Sequence, residues 1–211
     1  MVRIALLSSL LVALNAAEFR VGPVAAPLIE KMRKTTWRTG CPVPLDDLRQ
    51  VTVTYLDFQK KRATGVLIMH REVAPEVRDI FRDLFRRGFL IERITPIEDF
   101  NGDDDASMAA NNTSAFNCRD ITGQPGRFSN HSWGRAIDIN PLINPYVKGD
   151  KVYPPEGRKY LNREVEAPGL INSGSYVVKR FLKAGWKWGG DWTNLKDYQH
   201  FEKPEQSQRV R

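Results

Sequence analysis

The chain has three histidines, and two of them stand beside acidic residues at spacings that suit metal chemistry. In GRFSNHSWGRAIDINP, residues 126–141, His131 and Asp138 lie seven positions apart. Asp138 interrupts an apolar run, where a buried carboxylate is costly unless a cation or strong hydrogen bonds compensate it. A strand, turn, strand path would bring both side chains to one side of a small sheet, with Gly134 and Ala136 letting the backbones approach. His200, in DYQHFE, would complete three nitrogen and oxygen ligands, the number a catalytic zinc takes while keeping one position for water. Asp197, three residues before it, is placed to serve as general base. A lone histidine is more often structural than metal-binding, but two of them grouped with two aspartates tip the balance toward a metal site.

Other chemistries find less support. No G-x-S-x-G elbow is present, and Cys118 has no dedicated histidine once two of the three serve a metal. NGDDDAS offers calcium-like oxygens at Asn101, Asp103 and Asp105, but an EF-hand wants glutamate at the twelfth position, where Asn112 stands. Glycosylation sequons occur at Asn111, Asn112 and Asn130, and a glycan on Asn130 would crowd the adjacent ligand. His70 reads as structural, and Trp186, Trp188 and Trp192 read as core rather than as a sugar-stacking platform. Two rivals belong to other classes. A non-catalytic module keeping zinc for stability would have no use for Asp197, and a basic scaffold binding polymer by charge would tolerate loss of His131.

SNHSWGRAIDIN fits the pattern S-x-H-x-x-G-x-A-x-D at Ser129, His131, Gly134, Ala136 and Asp138. In this it resembles the VanY-like zinc peptidases, which include D-alanyl-D-alanine carboxypeptidases and L-alanyl-D-glutamate endopeptidases of peptidoglycan. GWKWGGDWTNLKDYQHFE is similar to that family's closing block, with an acidic residue three before the last histidine ligand. The resemblance runs from roughly Cys41 to Glu202. It implies an α+β fold: a small central antiparallel sheet with flanking helices, in a single zinc-peptidase domain of the VanY/hedgehog type. It further implies zinc as cofactor, held by His131, Asp138 and His200, with Asp197 as catalytic base. Arg119 corresponds to an arginine that stabilises the oxyanion, since a guanidinium near the scissile carbonyl favours the charge developing there. A surface salt bridge is the alternative for Arg119. Ser114, Asn117 and Trp133 are candidate substrate contacts. The implied substrates are peptidoglycan stem peptides. Asp-x-x-His-Phe-Glu, preceded by WGGDW, looks more like the endopeptidase branch. A D-alanyl-D-alanine carboxypeptidase and a non-catalytic zinc-stabilised wall-binding module are the alternatives.

The elements that must position these residues are legible in part. VTVTYLDF (51–58) and GVLIMH (65–70) read as two strands joined by KKRAT. Val77, Ile80, Phe81, Leu84 and Phe85 recur at helical spacing over 74–87, with Pro75 in the first turn and Gly88 at the stop. FLIERITPI (89–97) returns to strand character, and residues 101–120 form a long polar segment. A second helix is expected over 173–184 with Tyr176, Val177, Phe181 and Leu182 inward, followed by an aromatic-rich strand and loop.

Composition sets the frame. The 211 residues are 41% hydrophobic and 27% charged, which suits one globular domain rather than a disordered or repeat protein. Residues 1–17 have the layout of a signal peptide, a basic Arg3, an apolar run from Ile4 to Leu14, and small residues at Ala16 and Ala17. An N-terminal arm over 18–40 and a peptidase domain over 41–211 would follow. Export is expected, to the periplasm or the cell wall. Cys41 and Cys118 are the minimum for one disulfide there; two separate buried thiols are equally open. The formal charge of +7 points to anionic partners such as cell-wall polymers. The cations are scattered without a nucleic-acid motif, so no nucleic-acid partner is expected, and a monomer is.

Overall fold

A computed structural model describes residues 16–121 and 123–203. The basic start and apolar run of the expected signal peptide lie outside the described residues.

In chain order the elements are β1 (Phe19–Gly22), α1 (Ala26–Met32), β2 (Leu48–Leu56), β3 (Arg62–His70), α2 (Ala74–Arg86), β4 (Arg93–Ile94), α3 (Asp104–Ala109) and β5 (Asn112–Thr113). There follow β6 (Asp120–Ile121), β7 (Gln124–Phe128), β8 (Ala136–Asp138), β9 (Tyr146–Lys148), β10 (Lys151–Tyr153), α4 (Tyr176–Lys183), β11 (Lys187–Trp188), β12 (Lys196–Asp197) and β13 (His200–Glu202). The architecture is mixed helix and sheet, as an α+β chain requires. It departs from the expectation of one small central sheet. Among the described residues the strands form three separate three-stranded sheets, in the orders β1-β2-β3, β10-β9-β12 and β11-β13-β8, plus two pairs.

The first sheet is built by local rules. β2 and β3 pair antiparallel from Leu48↔His70 to Leu56↔Arg62. Their connection is an aspartate turn: the Asp57 carboxylate accepts hydrogen bonds from the backbone of Gln59 and Lys61, at 2.9 and 2.8 Å. α2 lays Val77, Ile80, Phe81 and Leu84 onto this sheet, all fully buried. Phe85, expected on the same face, is only half-buried and packs at the margin against Phe19. Pro75 occupies the helix start, and Gly88 follows the end with φ +71°, a conformation most residues avoid. The segment 18–40 supplies β1 to the sheet and Met32 to a second apolar cluster with Val24, Val43, Leu48, Ile68 and Phe116.

Two expectations need correction. FLIERITPI yields only the two-residue β4, paired parallel with β5, and an isolated bridge at Leu90. Pro96 has no N–H for a ladder, and residues 97–100 turn into a 3-10 helix. In α4 the inward residues are Val177, Val178 and Phe181, whereas Tyr176 and Leu182 are exposed. At 100° per residue the arc through 177, 178 and 181 leaves 176 and 182 outside it.

Phe181 stacks on Phe201 of β13 with ring centroids 4.2 Å apart, and its edge contact with Trp186 is at 5.4 Å. That packing sets the functional face. Alternate residues of a strand point to opposite sides, so burying Phe201 and Ile137 in the core turns His200, Glu202 and Asp138 the other way.

Candidate active site

His200 and Asp138 are Cα partners across β13 and β8, so their side chains meet. His131 comes from a 3-10 turn, Asn130–Trp133, whose start is capped by the Ser129 hydroxyl accepting from the His131 N–H. Gly134 closes that turn at φ +63°, and a Cβ there would lie 2.6 Å from the His70 backbone nitrogen. Glycine is required on both counts. The backbone of Ser114 exchanges two hydrogen bonds with that of Asp138, at 3.0 and 2.9 Å.

The three side chains converge. His131 Nε2 lies 3.2 Å from His200 Nδ1 and 3.1 Å from Asp138 Oδ2, and His200 Nδ1 lies 2.9 Å from Asp138 Oδ1. Relative exposures of 3%, 5% and 5% put all three out of bulk water. Ligand atoms set tetrahedrally about zinc, at about 2.0–2.1 Å from it, stand roughly 3.3 Å apart, close to these separations. His131 Nδ1 faces the Ala115 carbonyl at 2.5 Å, which makes it the N–H donor and leaves the Nε2 lone pair for the cluster. The donor set and its orientation therefore fit a zinc ion.

The electrostatics agree. Burial alone would raise the Asp138 carboxyl, yet His131 and His200 hold it well below the ordinary carboxylate range. Burial opposes a charge on His200, but hydrogen bonds with Asp138 and Glu202 raise its affinity for a proton well above the usual histidine value. Such a pocket favours positive charge, and a divalent cation answers that demand.

Asp197, on β12, shares a cavity of about 450 Å³ with these residues. One of its carboxylate oxygens is shut off from solvent and has no hydrogen-bond partner, although the residue as a whole is only half-buried. Burial, countered by His200 and reinforced by Asp138, pushes its carboxyl up to about 7. A carboxylate poised near neutrality suits proton transfer. Gly189 makes the arrangement possible: a Cβ there would sit 2.6 Å from the Asp197 carbonyl and 3.3 Å from His200 Cβ.

Residues 122–203 match the D-alanyl-D-alanine carboxypeptidase family. The match agrees with the resemblance to VanY-like peptidases and encloses His131, Asp138, Asp197 and His200. Arg119 and the β1–β3 sheet lie outside the segment that the family model covers. No solved structure matches the chain.

Arg119 lines the cavity as well. Its backbone N–H bonds the Ser132 hydroxyl at 2.8 Å, and its guanidinium pairs with Asp104 of α3 at 2.9 Å. Cys41 and Cys118 are disulfide-bonded, and Arg38 donates to the Cys118 carbonyl at 2.8 Å, so the residue preceding Arg119 is anchored twice.

Ser114, Asn117 and Trp133 do not line the cavity, contrary to expectation. Ser114 and Asn117 are buried beneath the ligands, where their backbones bond Asp138 and His131. Trp133 is half-buried on the His131 turn. The walls instead come from Met108 and Asp105 of α3, from Tyr146, Lys148 and Tyr153 of the β9–β10 hairpin, and from Trp192. Tyr146 is the Cα partner of Asp197, and the Trp192 ring lies 5.3 Å from that of His200, so Trp192 is a site residue rather than core. Trp186 and Trp188 are buried in the core. Asn130, noted in the sequence only as a glycosylation sequon, and Glu202, noted only as part of the closing block, flank the two histidines at the site; the i, i+2 spacing of His200 and Glu202 on one strand was the available signal.

Proposed function

We propose that the protein is a zinc-dependent peptidase that hydrolyses peptide bonds in peptidoglycan stem peptides. One observation carries this reading: His131, Asp138 and His200 present a zinc-sized donor set in the same cavity where Asp197 holds a buried, unpartnered carboxylate oxygen. When bound, zinc would supply Lewis acidity, easing deprotonation of a water and polarising the scissile carbonyl. Asp197 takes the proton from the attacking water and passes it to the leaving amine. Arg119 turns from Asp104 toward the carbonyl oxygen and donates hydrogen bonds that strengthen as negative charge develops. The aromatic walls from Tyr146, Tyr153 and Trp192 hold the peptide against the ligands and exclude water.

The bond cut is that of an L-alanyl-D-glutamate endopeptidase, a reading supported by Asp197-x-x-His200-Phe201-Glu202 in the closing block. The family's description as D-alanyl-D-alanine carboxypeptidase supports cleavage of the terminal bond as the second reading. Export to the periplasm or cell wall is part of the proposal, supported by the layout of residues 1–17 and by a disulfide suited to an oxidising compartment.

Digestion of purified peptidoglycan by the zinc-loaded protein, read by mass spectrometry, tests the activity and the bond cut. New L-alanine C-termini establish the endopeptidase, and free D-alanine establishes the carboxypeptidase. Zinc uptake with no fragment released moves the non-catalytic wall-binding module to the front.

A further inference from the structure

His200 spends Nδ1 on the ligand cluster, which leaves its other ring nitrogen to be accounted for. That nitrogen, Nε2, lies 3.2 Å from Oε2 of Glu202. The same oxygen accepts a hydrogen bond from Nδ2 of Asn130 at 2.6 Å. Glu202 follows His200 by two residues on β13, so both side chains project from one face of the strand. Its Cα partners are Ala136 on one side and Lys187 on the other, and the alanine leaves room for the carboxylate to turn toward the imidazole. Asn130 is the residue before His131. One carboxylate oxygen thus touches the ring of one histidine ligand and the chain neighbour of the other. Glu202 is not placed to be the base: Oε2 is engaged by two donors, and it meets His200 through the ring nitrogen opposite the cluster. Asp197 has the oxygen without a partner.

We infer that Glu202 is a positioning residue for the metal: it fixes the His200 tautomer and ring plane so that Nδ1 presents its lone pair, and through Asn130 it clamps the His131 turn to β13. This rests on the zinc reading above, and it concerns how tightly the site holds metal rather than which bond is cut. A carboxylate that receives the free N–H of a ligating histidine orients the ring and raises its basicity, and loss of such a partner costs about 10–100-fold in metal affinity.

Zinc affinity is measured by competition with a chromophoric chelator at fixed pH for wild type, Glu202→Ala, Glu202→Gln and Asn130→Ala, alongside the visible spectrum of each cobalt-substituted protein. Glu202→Ala is expected to bind zinc about 10–100-fold more weakly, with an altered cobalt spectrum. Glu202→Gln, nearly isosteric and still an acceptor toward Nε2–H, is expected to recover most of the affinity and the wild-type spectrum. Asn130→Ala is expected to fall between Glu202→Gln and Glu202→Ala. If wild type takes up zinc and Glu202→Ala matches it in affinity and spectrum, the role of Glu202 is overturned while the metal reading stands. If Glu202→Ala fails to fold, Glu202→Gln decides: affinity within a few-fold of wild type supports the clamp, and a loss as large as that from removing a ligand overturns it. Wild type that takes up no zinc overturns the metal reading and this one with it.

Discussion

Strands β2 and β3 run nine residues each, whereas the strands that carry Asp138, Asp197 and His200 run two or three. The first region is held by a continuous backbone ladder and by the apolar face of α2. The second substitutes side chains for the ladder. Asn144, fully buried, accepts from Ile171 N–H at 2.8 Å and from the Arg163 guanidinium, and donates to the carbonyls of Ile139 and Gly169. Asn140 similarly joins Glu92, Leu90 and Gly169. Arg163, whose affinity for its proton is lowered by burial to about 10, bonds the carbonyls of Ile143, Tyr160 and Ile171. Regular pairing makes a scaffold from repetition. A cavity needs backbone that stops and turns, and buried amides and a guanidinium then satisfy the groups a ladder would have paired.

The contrast can be broken most forcefully at the site. Asp197→Ala should keep its zinc and lose about 10²–10⁴-fold in kcat, with a thermal midpoint close to wild type. Zinc content and kcat measured on one preparation check this, and loss of the metal would show that Asp197 holds the site together instead. On the scaffold the signs reverse. Phe81→Ala, in the fully buried face of α2, should cost about 3–5 kcal/mol in urea unfolding while the folded fraction keeps its kcat. Asn144→Leu sharpens the comparison because it should affect both properties. It strands the Ile171 N–H, worth about 1–3 kcal/mol, takes one of four acceptors from the Arg163 guanidinium, and loosens the chain leading into β9, where Tyr146 faces Asp197. Unfolding and KM measured together would separate it from Phe81→Ala.

The smallest expected effect concerns acidity in the chelator-treated protein. Burial raises the Asp197 carboxyl from 3.8 to about 7, so the folded state binds that proton more tightly than the unfolded chain does. The stability gained is complete below about pH 3.8 and is lost as pH rises through about 7. Asp197→Asn cannot ionise, so it should leave the metal-free Tm nearly unchanged near pH 4 and raise it at pH 8. A lowered Tm at pH 8 would falsify this.

What the sequence disclosed follows the same divide. α2 and the β2–β3 hairpin announced themselves by period, because their apolar residues answer to one flat interface. Asp138 stood out because it interrupts an apolar run, and His131, Asp197 and His200 stood out by their spacing from one another and from it. The cavity walls were hidden. Tyr146 and Tyr153 come from three-residue strands and Trp192 from a loop, too short for periodicity to operate. The buried place of Ser114 and Asn117 was hidden too, because it is set by backbone hydrogen bonds to Asp138 and His131 that no side-chain pattern records.

Position 189 gives this arrangement a built-in wedge point. Its missing side chain is the space into which the Asp197 carbonyl, 2.6 Å from where a Cβ would be, and the His200 Cβ, 3.3 Å from it, have closed. One methyl group there would pry the proton carrier away from the metal holder while every chemically active group stayed in the chain. Gly189→Ala is therefore a route to a protein with a full complement of active groups and no working alignment, a control that ordinary deletion of a catalytic side chain cannot supply.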